Sequence, residues 1–486
     1  MREEHPKIRR PSTAALWNIT AFCTALFGVG ALSVLLEKPT YSEKEKRDLA
    51  RMPALTPESY ADGSFAAGVD SFYSDTFPFR DLLISLGSTL EEMRGLRLDD
   101  AKIHEVAPSQ PEPEPPSESQ PEADPGSSQE ESSQSQPENT ATGEQNGSVF
   151  IYKGRAMSMF GGSQAMGQWY ANVITSYADA LPEVQVYDIV VPTSIEFYLP
   201  DKYRDISAPE KPNIDYIYSQ MGPNVTTVDA YGEIARHTDE YIYFRTDHHW
   251  TVTGAYYAYV AFCQAAGFEP KPYDSYEWNR KEPFYGTLYA QTQDSTLRAN
   301  PDYVDYPTIS APHQAFMYKR GQPYTPYAST IMADYAQGAN MYSVFLHGDQ
   351  PLTEIRTENK NGRKAVVVKE SFGNAFSPFL AEHYETLYIV DQRYFELNLP
   401  DFIRENGVTD LIFINNVFAA NTSVQIQWIQ GLMYQYFTPV TEEASSEDEE
   451  APGEDTPEES GGEDEESSSR DEDEPEDDER EDEDDE

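Results

Sequence analysis

Four short runs of aliphatic and β-branched residues constrain this chain most: Val184-Gln-Val-Tyr-Asp-Ile-Val-Val-Pro192, Lys364-Ala-Val-Val-Val-Lys369, Leu387-Tyr-Ile-Val-Asp391 and Asp410-Leu-Ile-Phe-Ile-Asn415. A strand with one wet face alternates apolar and polar residues, whereas near-continuous apolarity reads as a strand buried on both faces. Asn224-Val-Thr-Thr-Val-Asp229 adds a further strand. Helical patterns fall between the runs, around residues 166–181, from Thr251 to about Ala266, after Asn374 through Leu380, and over 399–406. Strands alternating with helices predict an α/β fold with a parallel sheet flanked by helices. Sites in such folds lie at the carboxyl ends of the strands. Residues 270–342, rich in Tyr and Pro without a clear period, read as long loops or an irregular insertion.

The rest of the chain divides by composition. Residues 14–36 carry no charge and follow Arg2, Lys7, Arg9 and Arg10. A helix of that length reaches roughly 35 Å, enough for a hydrocarbon core of ~30 Å. The basic flank places residues 1–13 in the cytoplasm and everything after residue 36 outside, as a single-pass cell-membrane protein with an extracellular main domain. A cleavable signal peptide ending near Val29-Gly-Ala31 competes with this reading, but the apolar run is longer than a signal core needs. Residues 37–105 form a juxtamembrane segment. Residues 106–147 are rich in Pro, Glu, Ser and Gln with no aromatic side chain, and read as a disordered spacer, either between domains or as a long loop within one. The main domain spans 148–440, and 441–486 form a disordered acidic tail.

The formal net charge of −50 sits largely in these flanks. Nucleic acid is excluded as a partner, because phosphate backbones require stripes of Lys and Arg. The two cysteines, Cys23 and Cys263, do not suggest a disulfide, since the first lies within the apolar run. The faces of the 33 tyrosines suit sugar rings, but ordinary packing is the better account of most of them.

The chemistry concentrates in Asp247-His-His-Trp250, immediately before the helix at Thr251. An Asp two residues before a His can hold one ring nitrogen and leave the other for proton transfer. Ser371 follows one of the buried strands and precedes a helix, a turn that exposes a hydroxyl at the rim of a sheet. Ser371 as nucleophile, His249 as base and Asp247 as orienting acid make a candidate triad in the order Asp, His, Ser. Gly373 allows close backbone approach, and Asn374 or Asn416 can donate to an oxyanion. Helix capping and turn chemistry explain these residues equally well, as a packed, hydrogen-bonded His249 beside Trp250 would explain the histidine. A metal site at Asp247, His248 and His249 is not expected, because adjacent histidines diverge and no HExxH spacing occurs.

Phe244-Arg-Thr-Asp-His-His-Trp-Thr251 with Gly254, Val367-Val-Lys-Glu-Ser-Phe-Gly-Asn-Ala-Phe376 and Val390-Asp-Gln-Arg-Tyr-Phe395 resemble the DHHW family of bacterial exported proteins. That family is similar to the O-acetyltransferases of alginate-type polysaccharides, whose fold resembles the SGNH hydrolases. The resemblance implies an SGNH hydrolase-like fold and the triad Ser371, His249 and Asp247, with no cofactor. The Asp-His pair precedes the serine, as in the acetyltransferase branch, and Lys369-Glu-Ser371 stands where SGNH enzymes have Gly-Asp-Ser. His248 fills the variable position, as a substrate ligand or an alternative base, with Trp250 beside it. Arg393 is placed to orient an acidic sugar or to pair with a buried acid. The implied activity is O-acetylation of a cell-surface polysaccharide through an acyl-serine, with a membrane-bound O-acyltransferase supplying acetyl groups from the cytoplasm. Hydrolysis by the same triad, as a carbohydrate esterase, and a non-catalytic surface-binding role are the competing expectations.

Overall fold

The computed structural model describes residues 148–438 throughout, Ala101–Glu105, and parts of residues 17–87. The predicted spacer and acidic tail, the cytoplasmic segment and most of the predicted membrane span lie outside the described residues. Among those described, no helix is long and apolar enough to cross a membrane.

After a short antiparallel pair (Tyr41–Ser42 with Arg47–Asp48) and two helices (Pro57–Ala61 and Ser64–Asp75) comes a small sheet of β1 (Ala101–Glu105), β2 (Ser148–Tyr152) and β3 (Arg155–Ser158), all antiparallel. Residues 37–105 therefore contribute a strand that pairs with the main domain, and residues 106–147 connect two paired strands. The pairing of Ala101–Glu105 with Ser148–Tyr152 is compatible with the alternative of a long loop within one domain. Helix α1 (Gln164–Ala180) leads to β4 (Gln185–Val191), and α2 (Glu210–Ser219) to β5 (Val225–Thr227). Helix α3 (Val252–Ala266) ends at Gly267, whose φ of +71° suits glycine.

Residues 270–342 are not the irregular stretch expected. They hold the antiparallel pair β6 (Glu277–Phe284) and β7 (Asp302–Thr308), then β8 (His313–Lys319) and β9 (Gln322–Ser329). Strand β10 (Leu352–Thr357), β11 (Lys364–Lys369), β12 (Thr386–Asp391), α4 (Leu399–Asn406), β13 (Asp410–Asn416) and α5 (Ser423–Gly431) follow.

Eight strands form the main sheet in the order β9-β8-β10-β12-β11-β13-β4-β5. The five from β12 to β5 are parallel, as the buried runs predicted. Strand β10 runs antiparallel to β12 and β8, and β8 antiparallel to β9, so the sheet is mixed. This corrects the purely parallel expectation: β10 reaches its neighbours without a crossover helix, so the short link from β10 to β11 need not span the sheet.

Apart from the edge strand β5, the parallel strands are buried on both faces, with side chains alternating between two cores. Ala365, Val367, Ile389, Ile412 and Ile414 face the core that contains α3 and Trp250. Val366, Val368, Val390, Leu411 and Phe413 face the core that contains residues of α1, α2, α4 and α5. A third, smaller cluster joins Val149, Ile151 and Ala156 of the small sheet to Leu288 and Leu297. Lys102 on β1 pairs with the buried carboxylate of Asp294, fixing the small sheet to that same segment.

Candidate active site

The loop bearing Asp247 is fastened at each side. Tyr243 and Trp250 form an antiparallel bridge, and Thr251 N–H donates to Ile242 O at 3.0 Å. The buried Asp302 carboxylate accepts from the backbone N–H of Arg245 and of Thr246, and from the Thr246 hydroxyl. From β3, Ala156 N–H donates to Arg245 O at 2.8 Å. The Thr251 hydroxyl oxygen caps α3 by accepting from Gly254 N–H. A short polar loop held by a buried carboxylate, a strand and a capped helix keeps its side chains in one arrangement.

Ser371 stands just past the carboxyl end of β11, as its place after an apolar run predicted. The turn is tight: a Cβ on Gly373 would lie 2.4 Å from Lys369 Cβ, so only glycine fits. Trp250 Nε1 donates to Phe372 O at 3.0 Å and the Tyr342 hydroxyl to Ser371 O at 3.2 Å. Trp250, fully buried, thus positions the nucleophile turn and does not face a ligand.

The loop and the turn meet. His249 Nε2 lies 2.7 Å from Ser371 Oγ, and His249 Nδ1 lies 2.6 Å from Asp247 Oδ1. The ring stacks on Tyr342 with centroids 4.0 Å apart, which fixes its plane. The second oxygen of Asp247 accepts from Thr287 N–H at 2.8 Å and from the Thr287 hydroxyl at 3.1 Å. Thr287 Oγ1 also lies 2.6 Å from His248 Nδ1, which turns His248 away from Ser371. Gly286 allows this approach, since a Cβ there would sit 2.2 Å from Asp247 Cβ. The ligand atoms of Asp247, His248 and His249 lie within 4.8 Å of one another. Hydrogen bonds to Ser371 and Thr287, and the bond between Asp247 and His249, already engage those groups.

Neither Thr287 nor Tyr342 carried a signal in the sequence, because each lies far along the chain from the residue it serves. Glu370 was visible only as a departure from Gly-Asp-Ser. Its fully buried carboxylate accepts from Phe372 N–H and from Asn416 N–H, each at 3.0 Å, and lies 3.2 Å from Ser371 Oγ. The N–H after the nucleophile, a common oxyanion donor, is therefore taken. Asn416 Oδ1 accepts from Ala419 N–H at 2.9 Å, which turns its amide nitrogen to the other side. Asn416 lines a cavity of about 10 Å³ beside the triad with Ser158, Thr193, Ser194, His248 and Phe418. Thr193 is anchored by the buried Glu210 carboxylate through its N–H and its hydroxyl, both at 2.6 Å. Burial pushes Glu210 up to about 8 in spite of these bonds.

Two predicted site residues go elsewhere. Asn374 Nδ2 donates to Asp349 Oδ1 at 2.8 Å, so it is not aimed at an oxyanion. Arg393 pairs with Asp391 and Asp349, each at 2.8 Å, in a network completed by buried Lys369. Of the two roles open to Arg393, the structure shows the partner of a buried acid. Burial alone would lower the Lys369 ammonium, but Asp349 and Asp391 reverse this and hold it above its usual value.

Comparison with known sequences matches residues 45–109 and 123–390 to the family model described as DHHW protein. The chain belongs to the DHHW family. Asp247, His248, His249 and Trp250 are the residues that spell its name. A crystal structure of a DHHW family protein from Eubacterium siraeum is 36% identical, with a TM-score of 0.55, covering 60% of this chain and 96% of that one. Bacillus cereus PatB1 with a sulfonyl adduct matches at 16% identity and a TM-score of 0.49, over 58% of this chain and 99% of that chain. The O-acetyltransferase domain of Pseudomonas putida AlgJ matches at 16% identity and a TM-score of 0.34, over 56% and 93%. No curated protein gives a significant match.

Proposed function

We propose that this DHHW protein is a serine O-acyltransferase of the cell envelope that acetylates a cell-surface polysaccharide. The observation that carries the reading is the continuous chain Asp247 Oδ1, His249 Nδ1, His249 Nε2, Ser371 Oγ, with successive contacts of 2.6 and 2.7 Å. Asp247 holds the proton on Nδ1, so Nε2 accepts the Ser371 proton as Oγ attacks the acetyl carbonyl carbon of an ester donor. His249 passes that proton to the departing oxygen, leaving acetyl-Ser371. A sugar hydroxyl then attacks the same carbon, its proton goes to Nε2, and Ser371 Oγ leaves and is reprotonated. Asn416 Nδ2 is the side-chain donor placed for the oxyanion.

Two features favour acetyl transfer. The cavity at the triad, about 10 Å³, is on the scale of a single water, so long acyl chains do not enter without movement of its walls. Ser371 and His249 are only 5% and 6% exposed, which limits water as a competing acceptor. The basic N-terminus and apolar run of residues 14–36 support an anchored enzyme facing outward. An outward-facing enzyme needs acetyl groups passed across the membrane, the role proposed for a membrane-bound O-acyltransferase.

The test is intact-mass analysis of the full chain after exposure to p-nitrophenyl acetate. One acetyl adduct, absent in Ser371→Ala, is the expected result. An unmodified wild type with no ester turnover would sink the catalytic reading, and turnover without transfer to any sugar would make it an esterase.

A further inference from the structure

Two openings lie side by side beyond the carboxyl ends of β4 and β13. The small one lies beside the triad, bounded by Ser158, Thr193, Asn416 and Phe418. Phe418 is also a wall of a second, open groove of about 430 Å³. Along the chain, Ser158 lines the first and its neighbour Met159 lines the second, so one backbone segment borders both. A groove of this size falls within the range of small-ligand sites.

Its walls are neutral. Among the described residues lining it, none carries a charge; they are hydroxyl, amide, glycyl and apolar groups. Gly161 and Gly162 form a peptide edge whose N–H groups donate to no described residue. A Cβ on Gly161 would meet nothing within 4 Å, so that edge faces open space. Phe160 and Phe418 pack edge to face at 5.2 Å behind it. Asn421 is held rigid, accepting from Ser163 N–H at 2.8 Å and exchanging bonds with Asn213. At the passage to the triad, the buried Ser158 hydroxyl has no hydrogen-bond partner among the described residues. A buried hydroxyl without a partner, on the wall of an opening, points to a polar ligand that completes it.

The electrostatics narrow the ligand further. Arg393, the cation expected to meet an acidic sugar, is spent on Asp349 and Asp391. The groups nearest Ser371 include the carboxylates of Asp247 and Glu370. An anionic chain entering here meets like charge, with no Lys or Arg among the described residues lining either opening. A polyol loses nothing, because peptide and hydroxyl groups serve it as donors and acceptors.

We propose that the groove from Gly161 to Phe418 is the acceptor subsite and that it takes an uncharged sugar chain. The proposal rests on the acyl-transfer reading above and gives it a substrate class. The sugar lies along the Gly161–Gly162 edge and presents one hydroxyl to the acyl carbonyl on Ser371. The new ester forms on that oxygen, its proton passes to His249 Nε2, and Ser371 Oγ regains a proton from there.

Binding is measured first, by calorimetry on the full chain carrying Ser371→Ala, which performs no chemistry. The probes are a tetramer of N-acetylglucosamine and a tetramer of galacturonate. The neutral tetramer should bind about tenfold or more tightly than the anionic one, and Gly161→Trp should weaken it about tenfold. Preference for galacturonate, no binding of the neutral tetramer, or binding indifferent to Gly161→Trp overturns the proposal. With the active full chain and p-nitrophenyl acetate as donor, Gly161→Trp should lower the ratio of sugar acetylation to aryl-ester cleavage about tenfold. An unchanged ratio also overturns it. Absence of any acyl-serine would instead sink the function proposed above and leave the binding result to judge the groove.

Discussion

Glu370 fastens the nucleophile turn to Asn416: one carboxylate oxygen accepts the Asn416 N–H and the other the Phe372 N–H, each at 3.0 Å. These groups lie at the ends of two adjacent parallel strands, β11 and β13. The carboxylate thus sets the spacing between Ser371 and Asn416, the oxyanion donor of the proposed mechanism. Glu370→Ala orphans two buried N–H groups, at about 1–3 kcal/mol each, which a urea unfolding curve reads as a lower midpoint. Glu370→Gln keeps the volume but places an amide against a donor. It should lower kcat for aryl acetate about 10- to 100-fold with a smaller change in KM. A variant with normal kcat would show that the clamp is structural only.

Asp247→Asn tests the orienting role. The Asp247 side chain accepts from His249 at one oxygen and from Thr287 at the other. An amide cannot accept at both ends, so the ring loses its enforced tautomer. The expected loss in kcat is about 1,000- to 10,000-fold, measured on p-nitrophenyl acetate at saturation. Activity within about tenfold of wild type would move the base elsewhere, with His248 the next residue to replace.

Glu210 should contribute a loss of stability as pH rises from about 4.5 to 8. Its carboxyl is raised from 4.5 to about 8 by burial. Between those values the folded state keeps a proton that the unfolded chain has lost, so each step upward in pH favours unfolding. The effect for a fully buried group is on the order of a few kcal/mol. Glu210→Gln removes this share, and melting midpoints taken across the window should flatten relative to wild type. An unaltered slope would show that Glu210 is ionised in the fold. Thr193 beside the triad would then be held by a full charge.

What the sequence disclosed follows from how the information was spread. The parallel strands were legible because burial on both faces makes them continuous apolar runs, as at Val366, Val367 and Val368. Strands β6 to β9 hid behind Tyr and Pro, and β9 is exposed along most of its length, so no apolar period marked it. Asp247 and His249 were legible as a pair because a two-residue spacing places them in contact. Thr287, Tyr342 and Ser158 complete the site from remote positions that only folding brings together. Asn374 and Arg393 misled for the opposite reason: their chemistry fits a site, but Asp349 claims them both.

Lys369 tests whether that buried network supports the turn. Its ammonium lies 2.6 Å from Asp391 and 3.0 Å from Asp349, and the side chain is 1% exposed. Lys369→Met removes one partner and leaves Asp391 buried with Arg393 alone. The expected loss is about 3–5 kcal/mol, read by chemical denaturation. A loss below about 1 kcal/mol would mean that Arg393 suffices and the network is redundant.

The last prediction concerns the connection between β1 and β2. Glu105 and Ser148 are register partners at the adjoining ends of the two strands. Residues 106–147 leave one and enter the other, so the geometry asks only for a hairpin turn. Closing a long connection costs chain entropy that grows as the logarithm of its length. Replacing 106–147 with Asn-Gly, which suits a two-residue hairpin, should therefore stabilise the domain by up to ~2–3 kcal/mol. Aryl-ester activity should persist, because the shortened chain keeps β1 paired with β2 and held to Asp294 through Lys102. Denaturation midpoint and kcat on the shortened full chain decide it. A lower midpoint would mean that the Pro- and Glu-rich segment contributes contacts of its own. If β1 were instead a separate unit, the shortened chain would fail to fold as one cooperative transition.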